Sequence, residues 1–381
     1  MTHWDAIVIG GGLAGSAAAI ELAIGGKRVL LLEKEIYPHH KVCGEFLSYE
    51  AQYYLDKLGI DYKALGAVPI DTLQLIYSNK SIAVRLPFQG VSVSRLLLDE
   101  VLLQKATESG VTVKRGVTVK DAVQTPNGWV VNTDNTSYES DNILLATGKR
   151  DLRDLPRQKG TQNNYIGFKM HWKLLPYSIE ALQNTVSIIW FDGGYAGLEL
   201  VENEIANLSL VVTKQRFSEV GKQWELLLTA IRREAPSLDK YLIGATPEWE
   251  KPLAVFDIPY GFVYKEGKTE KKGLYRLGDQ LAVIPSFSGD GMAIALHTAS
   301  RAADAILTGS TTYHQNIRGE FSLKLDLLLY CHGSLPAAGV RKLLLHSAND
   351  FQKYSYISLA RQDWLTLILI NFQSCKLLEI K

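Results

Sequence analysis

A glycine-rich turn near the start of the chain limits the folds open to it more than any other feature. An apolar run over residues 6–9 leads directly into Gly10-x-Gly12-x-x-Gly15. Small residues typical of a closely packed helix follow, and a second apolar run then ends at Glu33. This succession of strand, glycines, helix, strand and acid is the fingerprint of a Rossmann-like dinucleotide-binding unit.

Each part of the fingerprint has a physical role. Gly10 permits a tight turn, Gly12 lets the backbone approach a pyrophosphate, and Gly15 lets the helix pack closely against the strand. The free N–H groups and the positive dipole end at the start of the helix attract phosphates. Glu33 can accept hydrogen bonds from the hydroxyls of an adenosine ribose. The segment therefore predicts a bound adenine dinucleotide.

Composition and charge exclude several classes of protein. The net charge of +1 gives the 381 residues no general attraction for nucleic acid. Three scattered cysteines are too few for a disulfide framework or an iron–sulfur cluster, which predicts a reduced, cytoplasmic setting. The amino-terminal run is broken by glycines, unlike a signal peptide, and no run approaches the ~18 apolar residues of a membrane span. The apolar segment 364–372 predicts a buried carboxyl-terminal helix, with peripheral membrane contact as the alternative.

The pattern along the chain predicts an α/β protein with an interrupted first domain. Strands and helices follow one another over residues 1–159, and a similar strand and helix return at 270–310. Alternating apolar and polar residues over 160–269 predict an antiparallel sheet inserted between them. The segment 311–381 is predicted to be mostly helical. We therefore expect a discontinuous dinucleotide-binding domain, a substrate-binding sheet domain and a helical carboxyl-terminal segment.

Four segments together resemble one superfamily of flavoproteins. They are the fingerprint, the segment 42–48 with Cys43 and Gly44, the helix start at Arg95, and the segment 278–292. This combination resembles the para-hydroxybenzoate hydroxylase, geranylgeranyl reductase and FixC-type superfamily, and its pattern is closest to flavoproteins that accompany type III polyketide synthases. The resemblance implies a glutathione-reductase-type domain with non-covalently bound FAD, and NAD(P)H as electron donor.

The resemblance also assigns the positions that hold the cofactor. Arg95 is expected to reach the FAD phosphates or ribityl chain, and Asp279 the ribityl hydroxyls. The turn 285–292 is expected to lie beside the flavin ring, where the positive end of the next helix faces N1 and C2=O. The implied FAD contacts are Gly10, Gly12, Leu13, Ala14, Gly15, Glu33, Lys34, Cys43, Gly44, Arg95, Val119, Asp279, Pro285, Gly289, Gly291 and Met292.

The preferred reaction under this resemblance is hydroxylation. It implies an FAD-dependent monooxygenase of secondary metabolism that uses a flavin C4a-hydroperoxide on an apolar aromatic or polyketide-like substrate. One alternative is an FAD-dependent reductase or dehydrogenase of isoprenoid-like double bonds, although the aromatic and Pro-Lys pattern of prenyl reductases is missing after Gly194-Tyr195. Another is a maturation factor that modifies a side chain of a partner protein. Halogenation is not expected, because the Trp-x-Trp-x-Ile-Pro segment and characteristic lysine of flavin-dependent halogenases are missing.

Few residues offer chemistry of their own. Glu45 follows the loop expected to contact the cofactor, so we predict it as the base or acceptor near the ring, with an ion-paired or surface carboxylate as the alternative. Cys43 is expected to be a small buried thiol rather than a covalent anchor. His171 is expected to have a core or edge role in the substrate sheet. The pair His39-His40 has no acidic or cysteine companion at ligand spacing, so no metal site is predicted.

Overall fold

The computed structural model describes residues 3–158, 160, 162–265 and 271–320. Helices are predicted for 311–381 and for 364–372. The first segment lies mostly outside the described residues, which include the helical residues 313–320, and the second lies wholly outside them.

Helices in the described residues include α1 (Leu13–Ile24), α2 (Tyr49–Lys57), α3 (Arg95–Glu108), α4 (Pro176–Leu182), α5 (Lys214–Glu219), α6 (Trp224–Glu234), α7 (Pro236–Leu242) and α8 (Gly291–Thr308). The strands include β1 (His3–Ile9), β2 (Val29–Glu33), β3 (Phe46–Leu47), β4 (Val68–Tyr77), β5 (Lys80–Ser92), β6 (Thr112–Arg115), β7 (Val119–Thr125), β8 (Gly128–Thr133), β9 (Ser137–Leu145), β10 (Gln162–Lys173), β11 (Thr185–Phe191), β12 (Gly194–Leu200), β13 (Ile205–Thr213), β14 (Thr246–Pro247), β15 (Leu253–Tyr260), β16 (Phe262–Val263), β17 (Leu274–Arg276) and β18 (Ala282–Val283).

A mostly parallel sheet carries the dinucleotide-binding fingerprint. Its strand order is β6-β2-β1-β9-β8-β7, and β17 also pairs with β9. Strand β1 pairs in parallel with β2 and with β9, and α1 connects β1 to β2. Ile7 and Ile9 face one apolar core, while Ala6 and Val8 face another that α1, α3 and α8 share. Because both faces are covered, the paired stretches 6–9 of β1 and 29–32 of β2 are apolar throughout.

A second, largely antiparallel sheet stands beside the first. Its order is β14-β10-β13-β12-β11-β4-β5-β3, with β15 paired to β10. Strands β3, β4 and β5 come from residues that the sequence analysis assigned to the first domain. They join this sheet because β4 pairs in parallel with β11, where Thr72 lies opposite Thr185. The helices α6 and α7 cover one face through a core that includes Leu227 and Leu238.

The other face of this sheet carries polar residues on its central strands. On β10, Lys169 and His171 alternate with residues of the apolar core. Across the β10–β13 ladder, Lys169 lies opposite Ser209 and His171 opposite Asn207. On β12, Glu199 lies opposite Asn207. Strand pairing therefore collects residues that are distant in sequence into one polar patch.

The predicted α/β architecture, with a Rossmann-like sheet and an antiparallel sheet, is confirmed. The helices predicted to start at Arg95 and after the turn 285–292 correspond to α3 and α8. The sequence also predicts a helix over 220–234, of which α6 occupies Trp224–Glu234. Gly221 and Lys222 precede α6 with positive φ angles, which a continuous right-handed helix cannot contain. Within the described residues, no helix is long and apolar enough to cross a membrane.

Substitution of Gly15 should destabilise the protein, because a Cβ on this residue would lie 1.9 Å from the carbonyl oxygen of Gly10. We expect Gly15→Ala to lower the free energy of unfolding by about 3 kcal/mol or to prevent folding, as measured by urea denaturation. Gly291→Ala is the matched control, since an added Cβ there meets no atom within 4 Å. Equal stability of the two variants would contradict the close packing of α1 on β1.

Candidate cofactor and substrate site

A cavity of about 950 Å³ lies between the two sheets. The predicted site residues on its wall are Gly10, Gly12, Leu13, Ala14, Glu33, Lys34, Cys43, Gly44, Glu45, Arg95, Val119, Asp279, Gly289, Gly291 and Met292. Gly15 is off the wall, in agreement with its predicted role in packing α1 against the turn. Pro285 is also off the wall, although it lies between two lining residues, Ile284 and Ser286. The structure therefore does not bring Pro285 to the cofactor site.

The fingerprint end of the cavity is positively charged. An atom placed at the Cβ position of Gly12 would lie 3.3 Å from Lys41 Nζ and 3.7 Å from an Arg95 guanidinium nitrogen. Both cations pair with Asp99, at 2.7 Å for Lys41 and 2.8 Å for Arg95. Burial acts to raise the pKa of Asp99, but Arg95 and Lys41 together lower it below its usual value. Lys41 and Arg95 therefore place two cations, partly neutralised by Asp99, beside the backbone of Gly12.

Glu33 occupies the position expected for a ribose-binding acid. Its Oε2 accepts a hydrogen bond of 2.6 Å from the backbone N–H of Gly11, and its Oε1 accepts one of 2.9 Å from the backbone N–H of Glu35. These bonds fix the carboxylate at the end of β2 and on the cavity wall. The orientation of the acid is therefore set by backbone geometry before any ligand binds.

Asp279, the residue expected at the ribityl chain, forms an ion pair inside the cavity wall. Lys149 Nζ lies 2.8 Å from Asp279 Oδ2, and Arg157 donates to the Asp279 backbone carbonyl. Burial acts to raise the pKa of Asp279, but Lys149 and Arg157 lower it below its usual value. Lys149 belongs to the turn after β9, so this turn supplies a positive charge to the predicted ribityl end.

These residues fit FAD by their shape and by their charge. Gly12 is the N-cap of α1 and has no side chain between the helix terminus and the cavity. An added Cβ on Gly291, at the start of α8, would meet no atom within 4 Å. Both helix termini therefore open towards the cavity, where their dipoles favour anionic or electron-rich groups. The residues that would hold FAD are the lining residues of the fingerprint, Glu33, Lys41, Arg95, Asp279 and the turn before α8.

Glu45 lies on the cavity wall but is fully engaged by neighbours. Its Oε1 accepts a hydrogen bond of 2.7 Å from the backbone N–H of Arg95 and also contacts Lys169 Nζ. Its Oε2 lies 2.9 Å from His171 Nε2. Both Glu45 and Lys169 are 0% exposed. This geometry favours the ion-paired alternative over a free base.

The ion pair keeps Glu45 charged despite its burial. Burial acts to raise the pKa of Glu45, but Lys169 and His171 lower it below its usual value. Its backbone has a φ angle of +59°, in the left-handed region that glutamate rarely occupies. The side-chain contacts therefore hold a strained backbone in place. His171, expected in a core or edge role, contributes to this charged cluster instead.

The structure supplies companions to His40 that the local sequence does not. Ligand atoms of His40, Glu45 and His171 lie within 4.8 Å of one another. Burial and the nearby Lys169 lower the pKa of His40 to about 4, so its imidazole is neutral at physiological pH. The spacing argument against a metal therefore does not hold in three dimensions. The contact of Lys169 with Glu45 still places a positive charge where a metal cation would bind.

Glu199 is a second buried carboxyl group in the same patch, and the sequence analysis missed it. Its Oε1 accepts a hydrogen bond of 2.7 Å from Asn207, which also donates to the carbonyl of Cys43. Burial raises the pKa of Glu199 well above its usual value, and the charge of Glu45 adds to the effect. A single charged residue between apolar neighbours in a strand, as in Leu198-Glu199-Leu200 and Phe168-Lys169-Met170, is the signal that could have revealed both.

The half of the cavity under the second sheet is otherwise mainly apolar. Its wall includes Phe46, Leu73, Val186, Ile188 and Phe287. The hydroxyls of Tyr195 and Tyr260, which lie 3.2 Å apart, form a second polar element. Tyr195 also accepts a hydrogen bond from the backbone N–H of Phe287, which joins the sheet to the turn before α8. This half of the cavity suits a largely apolar molecule with few polar groups.

Comparisons with known proteins agree with this geometry. The family model described as an FAD binding domain matches residues 5–39. A flavin-dependent halogenase of Armillaria mellea is 34% identical over 123 residues, which cover 30% of this chain and 24% of the relative. A menaquinone reductase of Mycolicibacterium smegmatis is 29% identical over 159 residues, 39% of this chain and 38% of the relative. The chain thus spans less than two thirds of the length of either curated relative.

Solved structures extend the likeness to nearly the whole chain. The structure of a flavin-dependent brominase superposes with a TM-score of 0.72 at 20% identity, covering 91% of this chain and 88% of that one. At this identity the likeness concerns the fold. The family model supports an FAD-binding domain, and the shared fold agrees with it.

Removal of the charge on Lys41 should weaken the binding of FAD through its phosphates. We expect Lys41→Met to raise the dissociation constant of FAD about 10- to 100-fold in fluorescence titrations of the apoprotein. Riboflavin, which has no phosphate, should bind both proteins equally. The control Lys57→Met removes another ion-paired lysine, which contacts Glu21 outside the cavity. An equal loss of riboflavin and FAD binding would contradict the phosphate role of Lys41.

Neutralisation of Glu45 should cost stability in a pH-dependent way. We expect Glu45→Gln to lower the free energy of unfolding by about 3–5 kcal/mol near neutral pH, because Lys169 and His171 lose their buried partner. The pKa of Glu45 is lowered on folding, so its stabilising contribution is present above the unfolded value of about 4.3 and is lost as the pH falls through the folded value. Urea denaturation at several pH values should therefore show the two proteins converging in acid. Adding Lys169→Met to Glu45→Gln should restore part of the lost free energy of unfolding. Losses that add fully in the double variant would contradict the pairing.

Proposed function

We propose that this protein is an FAD-dependent monooxygenase that hydroxylates a small, apolar aromatic or polyketide-like molecule. The observation that carries the proposal is the cavity itself. It runs from the positively charged fingerprint end to an apolar half under the second sheet. NAD(P)H as electron donor and a cytoplasmic setting are parts of the same proposal. The relatives support its coarser form, a flavin-dependent oxidative enzyme.

The residues of the chain divide the work between binding and shielding. When bound, FAD would supply electron transfer and the activation of dioxygen. Lys41 and Arg95 bind the phosphates, and the amino-terminal end of α8 provides a positive dipole at the cavity wall. Phe46, Val186 and Ile188 exclude water from the substrate half. The pair of Glu45 and Lys169 holds the loop that closes this half on one side.

Halogenation is a second candidate, which the comparisons favour. The halogenase relative and the brominase fold both point to it, whereas the missing Trp-x-Trp-x-Ile-Pro segment argues against it. The menaquinone reductase relative gives similar support to the reductase alternative. These reactions differ in whether dioxygen and halide are consumed, so one assay can separate them.

The test is product analysis with the FAD-loaded protein, NADPH or NADH, bromide and isotopically labelled dioxygen. The substrates are phenols and aromatic ketones. We expect nucleotide oxidation and a product that contains one labelled oxygen atom and no bromine. The protein heated to inactivation is the control.

Other products would replace the proposal by a specific alternative. A brominated product would establish halogenation, and conversion without dioxygen would establish a reductase or dehydrogenase. Modification of a co-purified protein, without conversion of any small molecule, would establish the maturation factor.

A further inference from the structure

Two glycines leave an opening in the polar patch beneath the second sheet. A methyl group built on Gly197 would lie 3.4 Å from Ser209 Oγ and 3.7 Å from Glu199 Oε2, and one built on Gly44 would lie 3.6 Å from the same Ser209 oxygen. All four residues line the cavity. Gly44 comes from the loop after β2, whereas the others lie on β12 and β13. Two polar oxygens therefore border a space that the absence of side chains keeps open.

The hydrogen bonds around Glu199 determine which of its oxygens can donate. The carboxyl group is buried, and among the described residues no lysine, arginine or histidine pairs with it. Burial without a cationic partner disfavours the charged form and raises the pKa of Glu199 well above its usual value, which favours the protonated carboxyl group. Oε1 accepts the N–H of Asn207, so the proton belongs on Oε2, the oxygen beside Gly197.

We propose that Glu199 and Ser209 bind a carbonyl oxygen of the substrate, with both side chains donating hydrogen bonds into the space over Gly197 and Gly44. The substrate class is then an apolar aromatic molecule that carries a ketone or quinone-like carbonyl. Lys169, the cation nearest to them, is paired with Glu45, so the two uncharged donors select a neutral acceptor over a carboxylate or phosphate. The inference rests on the proposed function, and it names the substrate class of the same cavity.

The neighbouring polar groups are less suited to this role. Lys169 and Glu45 are already paired with each other, and Asn207 donates to Glu199 and to the carbonyl of Cys43. The hydroxyl of Tyr195 accepts from Phe287 and contacts Tyr260. Glu199 and Ser209 thus present the groups that a substrate carbonyl can use.

The first test is infrared difference spectroscopy of the FAD-loaded protein, without substrate. At neutral pH the spectrum of the wild type minus that of Glu199→Gln should contain the carbonyl stretch of a protonated carboxylic acid. Its absence would mean that Glu199 is ionised, and would overturn the proposal. This readout does not depend on activity.

The second test is calorimetric binding of 2-acetonaphthone and of 2-isopropenylnaphthalene to the same FAD-loaded protein. The two probes have nearly the same shape, but only the ketone has an acceptor oxygen. We expect the ketone to bind wild type about 10-fold more tightly. Glu199→Leu and Ser209→Ala should reduce this preference, whereas Glu199→Gln should keep it, because an amide also donates.

Gly197→Ala provides a steric variant that leaves the carboxyl group intact. The added methyl would fill the space at ordinary contact distances, so folding and the infrared band should be retained. The preference for the ketone should be lost in this variant. Equal binding of the two probes to wild type, or an unchanged preference in Gly197→Ala, would overturn the proposal. If wild type prefers the ketone but incorporates no labelled oxygen into any product, only the proposed function would be overturned.

Discussion

The buried pair of Glu45 and Lys169 joins the two halves of the protein. Glu45 belongs to the loop that follows β2 of the first sheet, and Lys169 lies on β10 of the second. Either charge, if buried without the other, would lose its hydration without compensation. The loop and the sheet can therefore be buried only together. The same carboxylate accepts the backbone N–H of Arg95, at the start of α3. The phosphate end and the substrate half of the cavity therefore share one fixed point.

The polar patch contains two buried carboxyl groups whose pKa values are shifted in opposite directions. Glu45 has Lys169 and His171 beside it, which lower its pKa, whereas Glu199 has an amide partner, and burial raises its pKa. The negative charge of Glu45 raises the pKa of Glu199 further, and the charge of Lys169 opposes this effect. Such a divergence lets one carboxyl group serve as a structural anion and the other as a donor. The ion pair and the substrate anchor are therefore coupled through electrostatics.

The parts of the structure that the sequence could predict are those encoded locally. Gly10, Gly12 and Gly15 fall in one turn, so their spacing alone indicates the fold around them and the phosphate end of the cavity. Arg95 and Asp279 were placed by resemblance, and both reach the wall. Lys41, which shares Asp99 with Arg95, and Lys149, the partner of Asp279, are placed by tertiary contacts that no short segment encodes. The cofactor end was therefore largely predictable, although its charge balance was not.

The substrate half could not be predicted in the same way, because strand pairing creates it. Lys169, Ser209 and Gly197 lie on three strands and meet only through the registers of two ladders. A one-residue shift in either ladder would turn one of them to the opposite face. Glu45 adds a further non-local element, since it reaches the patch from the loop between β2 and β3. The shape of the substrate half thus depends on pairing register and loop insertion, so proteins with the same cofactor site can differ in this half.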